Sequence, residues 1–163
     1  MIRKYSVVFQ KGGVGKSTLV KNLSILAKKS VVADLDPQAS VAYWIEAREK
    51  RDLNNPAAAI CAADDLPRLI DQADKKGYEN VFIDTAPDHD NEVSLRRAVS
   101  LSDAVIIPTG MGAEDMRVLP KTIEIVNSLK KPWIIVLNKA VHCKILEDTK
   151  EKLALLAKVK KGH

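Results

Sequence analysis

Lys11, Gly12, Gly13, Val14, Gly15, Lys16, Ser17 and Thr18 form one uninterrupted run, directly after the apolar stretch Tyr5-Ser6-Val7-Val8-Phe9 and Gln10. Glycines at 12, 13 and 15 let a backbone curl until successive N–H groups face a single anion. Lys16 adds a point charge, and the Ser17 hydroxyl offers a magnesium ion an oxygen ligand. A helix that starts here turns its positive end on the same anion. These residues suit a nucleotide's phosphates. The pattern G-x-x-x-x-G-K-[ST] is met except at its first position, where Gln10 replaces glycine, and a second lysine, Lys11, stands beside it.

Two carboxylate strings follow. Asp34-Leu35-Asp36-Pro37-Gln38 closes the β-branched run Ser30-Val31-Val32-Ala33, and carboxylates two residues apart on a strand project from the same face. Asp34 and Asp36 are therefore both expected to look into the crevice at the carboxyl end of a sheet; the alternative is an acidic pair capping the next helix. Asp84 ends a second apolar run, 78–83, and leads into Thr85-Ala86-Pro87. A magnesium ion beside phosphates takes oxygen ligands while keeping several waters, so one strand-end carboxylate opposite the loop suffices. Phosphoryl transfer needs mainly positioning and charge neutralisation; one carboxylate, one cation and two lysines form a sufficient set. Asp88-His89-Asp90-Asn91 admits a metal or acid–base reading, but a solvated loop whose Asp90 or Asn91 caps the next helix fits better. Asn138-Lys139 is either a base contact or a strand-end turn.

The elements that must position these groups read from periodicity. Leu19, Leu23, Leu26 and Ala27 recur at helical spacing, predicting an amphipathic helix after the loop. Runs at 5–9, 30–34, 81–84, 104–107 and 133–137 predict buried strands. Helical stretches are expected at about 39–50, from Asp64 or Asp65 to Gly77, and at 91–101, 113–129 and 144–161. Residues 57–63, rich in alanine, have no clear type. Strands apolar on both faces, alternating with helices, predict a doubly wound, mainly parallel sheet flanked by helices. In the last segment Ile145, Leu146, Thr149, Leu153, Leu156 and Ala157 share one stripe. That predicts a helix closing the sheet, with a membrane-surface helix and a basic tail at 158–161 touching DNA phosphates as alternatives.

A length of 163 residues fits one domain that rests on its own core. Cys61 and Cys143 form no C-x-x-C pair and are expected to be passive, reduced thiols in a cytoplasmic setting. No apolar run approaches the roughly 18 residues of a membrane span. A formal charge of +5 permits contact with a polyanion without requiring it.

The K-G-G-x-G-K-[ST] loop, the D-x-D-P-Q string, the strand ending in Asp84 and the N-K pair occur in the order that resembles the ParA/MinD family, the P-loop NTPases with a deviant Walker A motif. The resemblance covers residues 5 to about 140 and is greatest to small ParA-type plasmid partition ATPases. It implies ATP/ADP and Mg2+ as cofactors, and an ATP-dependent sandwich homodimer in which Lys11 reaches the partner's phosphates. By the same resemblance Lys16 binds phosphate, Asp36 orients or deprotonates the attacking water, Asp34 holds magnesium-bound waters, and Ser17 and Asp84 complete the metal site. Asn138 would contact adenine; Val141 replaces the aspartate that would read guanine. The resemblance further implies a ParB-like centromere-binding adaptor and weak, partner-stimulated hydrolysis in plasmid or chromosome segregation, in the cytoplasm or on the nucleoid. Non-specific DNA is an implied ligand; a membrane is not. A MinD-like membrane-cycling ATPase and a nucleotide-sensing dimerisation module are the alternatives. An iron–sulfur reductase would need paired cysteines that this chain does not offer. Family members commonly continue for a further strand and one or two helices, so residues 1–163 are expected to be a single ATPase domain lacking that portion.

Overall fold

The computed structural model of the chain describes residues 1–53, 55–87, 92–141 and 144–159. Six strands form one sheet: β1 (Arg3–Val7), β2 (Ser30–Asp34), β3 (Ala57–Ile60), β4 (Asn80–Asp84), β5 (Ala104–Thr109) and β6 (Trp133–Leu137). Their order is β3-β2-β4-β1-β5-β6 and every pairing is parallel. Parallel neighbours cannot be joined by tight turns, and the crossovers are α1 (Lys16–Leu26), α2 (Ser40–Glu49), α3 (Leu66–Lys75), α4 (Glu92–Leu101) and α5 (Ala113–Ser128), with α6 (Lys144–Val159) following β6. The doubly wound α/β architecture read from the strand–helix alternation is the one observed.

The core divides by sheet face. On one face α1 and α2 pack Val20, Val41 and Ile45 against Val7, Val32, Phe82 and Ile106. On the other, α3 and α4 cover β2 and β4, and α4 and α5 cover β1 and β5 around Val8, Phe9 and Ile107. Each large apolar side chain buried in this way contributes about 1.5–3 kcal/mol.

Several expectations shift. The helix after the loop buries Lys16, Val20 and Ser24 most deeply; of the predicted stripe Leu19, Leu23 and Ala27 pack half-buried against the same core, while Leu26 is 79% exposed. The cause is phase: Lys16 must turn inward, and residues four and eight further on share its direction. The alanine-rich stretch resolves as edge strand β3, made by pairing with β2 rather than by propensity. β6 occupies 133–137 as expected, but at the opposite edge, with Ile134 59% exposed. Asp65 sits at the N-cap of α3 without a side-chain capping bond, after a 3-10 turn at Ala63–Asp65. In α6, Leu146 and Thr149 are buried and Leu153 and Leu156 pack against the β5 side of the core. Leu146, Thr149, Leu153 and Leu156 of its stripe therefore close the sheet, while Ile145 is 58% exposed. The predicted loop at 88–91, Cys143 and, of the basic tail at 158–161, Lys160 and Lys161 lie outside the described residues. Among those described, no helix is long and apolar enough to cross a membrane.

Candidate functional site

β1 lies between β4 and β5, and the glycine loop leaves its carboxyl end. Register places Asp84 beside both Val7 and Asp34, so three strands deliver loop, Asp84 and Asp34 to one edge. Gly12, Gly13, Gly15, Lys16, Ser17, Thr18, Asp36, Pro87 and Lys139 line a cleft of about 380 Å³ there. Val14 turns its side chain into the core instead. Gln10 is buried with its amide nitrogen unpartnered.

Gly15 caps α1 with φ +97°, a left-handed conformation, and a Cβ at this position would run into the Asn138 amide nitrogen. Gly15→Ala therefore carries about 1–2 kcal/mol of backbone strain and about 1–3 kcal/mol of overpacking. A melting point lowered by several degrees and at least tenfold weaker nucleotide binding are expected, read by thermal melts and calorimetry. Wild-type values for both would mean that the loop tolerates a side chain.

Lys16 is buried, and its Nζ donates to the Lys11 carbonyl at 3.1 Å. Burial lowers its pKa, while Asp84 and Asp36 are the counter-charges that hold the proton on. Asp84 is fully buried and neither carboxylate oxygen has a hydrogen bond of full geometry, although Ser17 lies beside it. Burial, above all, pushes its carboxyl up to about 7. An orphaned buried carboxylate next to a hydroxyl is what a magnesium site requires, and Asp84 and Ser17 fit one. Among the described residues no three His, Cys, Asp or Glu side chains converge to hold a metal unaided, consistent with an ion that takes its remaining ligands from phosphate and water.

Asp34, expected to hold magnesium-bound waters, is tied to the backbone. Its Oδ2 accepts from the Val41 and Ala42 N–H groups at 3.0 and 2.9 Å, and its Oδ1 from Asp36 N–H at 3.1 Å. The carboxylate is spent on fastening the first turn of α2 and the 34–36 turn. Asp36, which lines the cleft, is the member of the pair that faces outward; its Oδ1 accepts from Gln38 N–H at 2.9 Å.

Asn138 is also placed differently. Its Nδ2 donates to the Val14 carbonyl at 2.9 Å, its Oδ1 accepts from Lys139 N–H at 2.9 Å, and Lys139 Nζ donates to the Gly13 carbonyl at 2.8 Å. The N-K pair braces the loop, with Lys139 also lining the cleft. Lys11 does not line the cleft: its Nζ contacts Asp115 Oδ1 at 2.9 Å and Glu114 Oε2 at 3.1 Å, in the first turn of α5. Hydrogen bonding to Asp115, then to Glu114, raises its pKa. Sequence reading missed these two acids; the signal was an acidic pair opening a helix just after Gly110 and Gly112. Cys61 is half-buried, and burial lifts its thiol to about 11, so it holds little thiolate.

Residues 5–161 match the family described as the CobQ/CobB/MinD/ParA nucleotide binding domain. A relative in Gloeobacter kilaueensis, maintenance of carboxysome distribution protein A, is 34% identical over 128 residues, covering 74% of this chain and 55% of its own length. The chain thus spans about half the length of that curated relative. Among solved structures, a plasmid partition protein from Borrelia burgdorferi superposes with a TM-score of 0.70 at 18% identity, over 94% of this chain and 85% of that one. Cobyrinic acid a,c-diamide synthase from Mycobacterium smegmatis, with bound ATP analogue and magnesium, gives 0.71 at 16% identity, over 94% and 82%. With the phosphate loop, the buried lysine and the strand-end carboxylate on the same sheet edge, this chain belongs to the CobQ/CobB/MinD/ParA nucleotide-binding family, whose ParA/MinD members are positioning ATPases.

Proposed function

We propose that the chain binds and hydrolyses ATP and that ATP closes two copies into a sandwich dimer, which hydrolysis reopens. The observation that carries this reading is the cleft itself: glycine backbone, Lys16, Ser17 and Asp36 surround one volume, with an unpaired Asp84 behind it. The loop N–H groups and Lys16 bind the phosphates. Asp36 orients the attacking water and accepts its proton. Ser17 and Asp84 would hold magnesium, which when bound would supply charge neutralisation to the phosphates. Lys11 from the second copy stabilises the charge that develops as the terminal phosphate departs, so turnover depends on association.

The cycle serves cytoplasmic positioning: segregation of a plasmid or chromosome, or distribution of another large cargo, stimulated by a ParB-like adaptor, with non-specific DNA as the track. The names of the Borrelia and Gloeobacter relatives support this range. The retained Asp36 favours hydrolysis over a purely sensing module.

Light scattering with ATP and with ADP tests the dimer, and phosphate release tests turnover. Lys11→Ala is expected to remain monomeric with ATP and to lose about 10²-fold or more of its turnover. Its nucleotide affinity should stay within about threefold of wild type, since Lys11 lies outside its own cleft. An equal loss of affinity and association would contradict the cross-subunit role.

A further inference from the structure

β3 is an outer strand of the sheet and pairs with β2 alone. The Cys61 N–H donates to the Asp34 carbonyl at 3.1 Å. In a parallel pair successive residues turn their backbone groups to opposite sides, so 57, 59 and 61 face β2, while the N–H and C=O groups of Ala58 and Ile60 face away from the sheet. Among the described residues no hydrogen bond reaches these outward groups. Edge strands are commonly guarded by shortness, by a charged side chain or by proline within the strand. Ala57–Ile60 has only its shortness.

The side chains of the same two residues face α2. Ala58 packs on the α1–α2 side of the core, and Ile60 stays 57% exposed. With Tyr43, Glu46 and Glu49 of α2 they line a groove of about 280 Å³. Because α2 leaves the carboxyl end of β2 and returns the chain to the start of β3, Tyr43 lies toward Ile60 and Glu49 toward Ala58. Tyr43 is 62% exposed. Glu46 shares its charge with Lys50 at 2.8 Å, whereas Glu49 has no ion pair among the described residues. Asp64 and Asp65 are exposed just beyond the strand. Unused backbone donors and acceptors, an apolar floor and an acidic wall therefore meet along one edge.

We propose that the β3 edge docks an extended segment of a partner protein that places a Lys or Arg and an apolar residue two positions apart. Such a segment adds a seventh strand through the backbone of Ala58 and Ile60. Residues two apart on it point to the same side, so its apolar side chain covers Ile60 and Tyr43 and its cation reaches Glu46 and Glu49. A second copy of this chain is the poorer occupant. Joining two β3 edges antiparallel would set the Glu46 and Glu49 pairs of both copies close together, and facing like charges destabilise a sheet. The surface lies apart from the nucleotide cleft, and none of its lining residues belongs to the phosphate machinery.

Two peptides serve as probes on the nucleotide-free full chain: Thr-Lys-Thr-Val-Thr-Lys-Thr-Val-Thr with blocked ends and a dye, and its twin with Glu for both Lys. Fluorescence anisotropy is expected to show the lysine peptide binding about tenfold tighter or more. Non-specific attraction would favour the acidic twin, since the chain carries a formal charge of +5. Amide hydrogen exchange should slow at Ala58 and Ile60 by roughly tenfold or more with the lysine peptide, and less at Ala59, whose N–H faces β2 already. Glu46→Lys with Glu49→Lys, both at exposed helix positions, should reverse the preference between the peptides and leave phosphate release unchanged. If that double variant fails to melt cooperatively, Glu49→Gln alone is expected to weaken the lysine peptide about threefold, and no change there overturns the proposal. Equal binding of the two peptides, no saturable binding at millimolar peptide, or binding that leaves Ala58 and Ile60 unprotected also overturns it. So does self-association in sedimentation that protects the same two amides without peptide, which would give the edge to a second copy.

Discussion

Asp36→Ala is expected to slow phosphate release by about 10²- to 10⁴-fold, the usual worth of a positioned proton acceptor, while ATP stays bound and the dimer persists. Asp36 is the carboxylate of the 34–36 turn that lines the cleft; among the described residues its side chain accepts from Gln38 N–H, at Oδ1, which leaves Oδ2 to face a water. The loop does not hang on it: Gly13 and Val14 are braced by Lys139 and Asn138, and buried Lys16 keeps Asp84, the larger of its two counter-charges, when Asp36 is removed. Binding and chemistry should therefore separate in this variant. Single-turnover phosphate release measured beside light scattering decides the matter. Fast turnover would remove Asp36 from the mechanism, and loss of ATP binding would make it a structural residue.

Asp84→Asn carries the second large effect, and its sign depends on pH. The Asp84 carboxyl is raised from an ordinary 3.8 to about 7, with burial the largest cause. Between those values the folded chain keeps a proton that the unfolded chain has released, so stability falls as pH rises through that window and levels off above about 7. An amide of the same shape does not titrate. At pH 8 the variant should be more stable than wild type by roughly 1–3 kcal/mol without magnesium, and the gap should close toward pH 4. With nucleotide present, magnesium should stabilise wild type, by about 2.7 kcal/mol at a hundredfold excess over its dissociation constant, and leave the variant almost unmoved. Thermal melts across pH with and without magnesium measure both. A variant less stable at pH 8, or one that still responds to magnesium, would show that Asp84 serves the fold and not the ion.

The phosphate loop was legible because its chemistry lies in contiguous residues. Three glycines, a lysine and a hydroxyl between an apolar run and a helix admit few other uses. The strand-end Asp84 was legible for a related reason, since an apolar run that stops at one carboxylate announces a buried charge with a purpose. Strand–helix alternation gave the sheet type, and β6 was read to the residue from Trp133 to Leu137. Its edge position was not, because nothing local says which strand has only one neighbour.

The two aspartates of 34–36 show where local reading stops. They look equivalent in sequence, yet Asp34 lies under the start of α2 and is taken by two of its N–H groups, while Asp36 is left to the cleft. Asn138 is similar: its type suits a base contact or a strand-end turn, and only the fold shows that Gly15 lets the loop approach so closely that the amide donates to the Val14 carbonyl.

From its residues alone, the chain determined that it carries a nucleotide-phosphate loop on a parallel α/β sheet, because both signals are periodic or contiguous and survive without knowledge of neighbours. The tertiary structure decided which carboxylate faces the cleft, which side of α1 is buried, what braces the loop and what Lys11 holds. Those are contacts between residues up to 126 positions apart, and such contacts follow from strand order and close backbone approach, which no local pattern encodes.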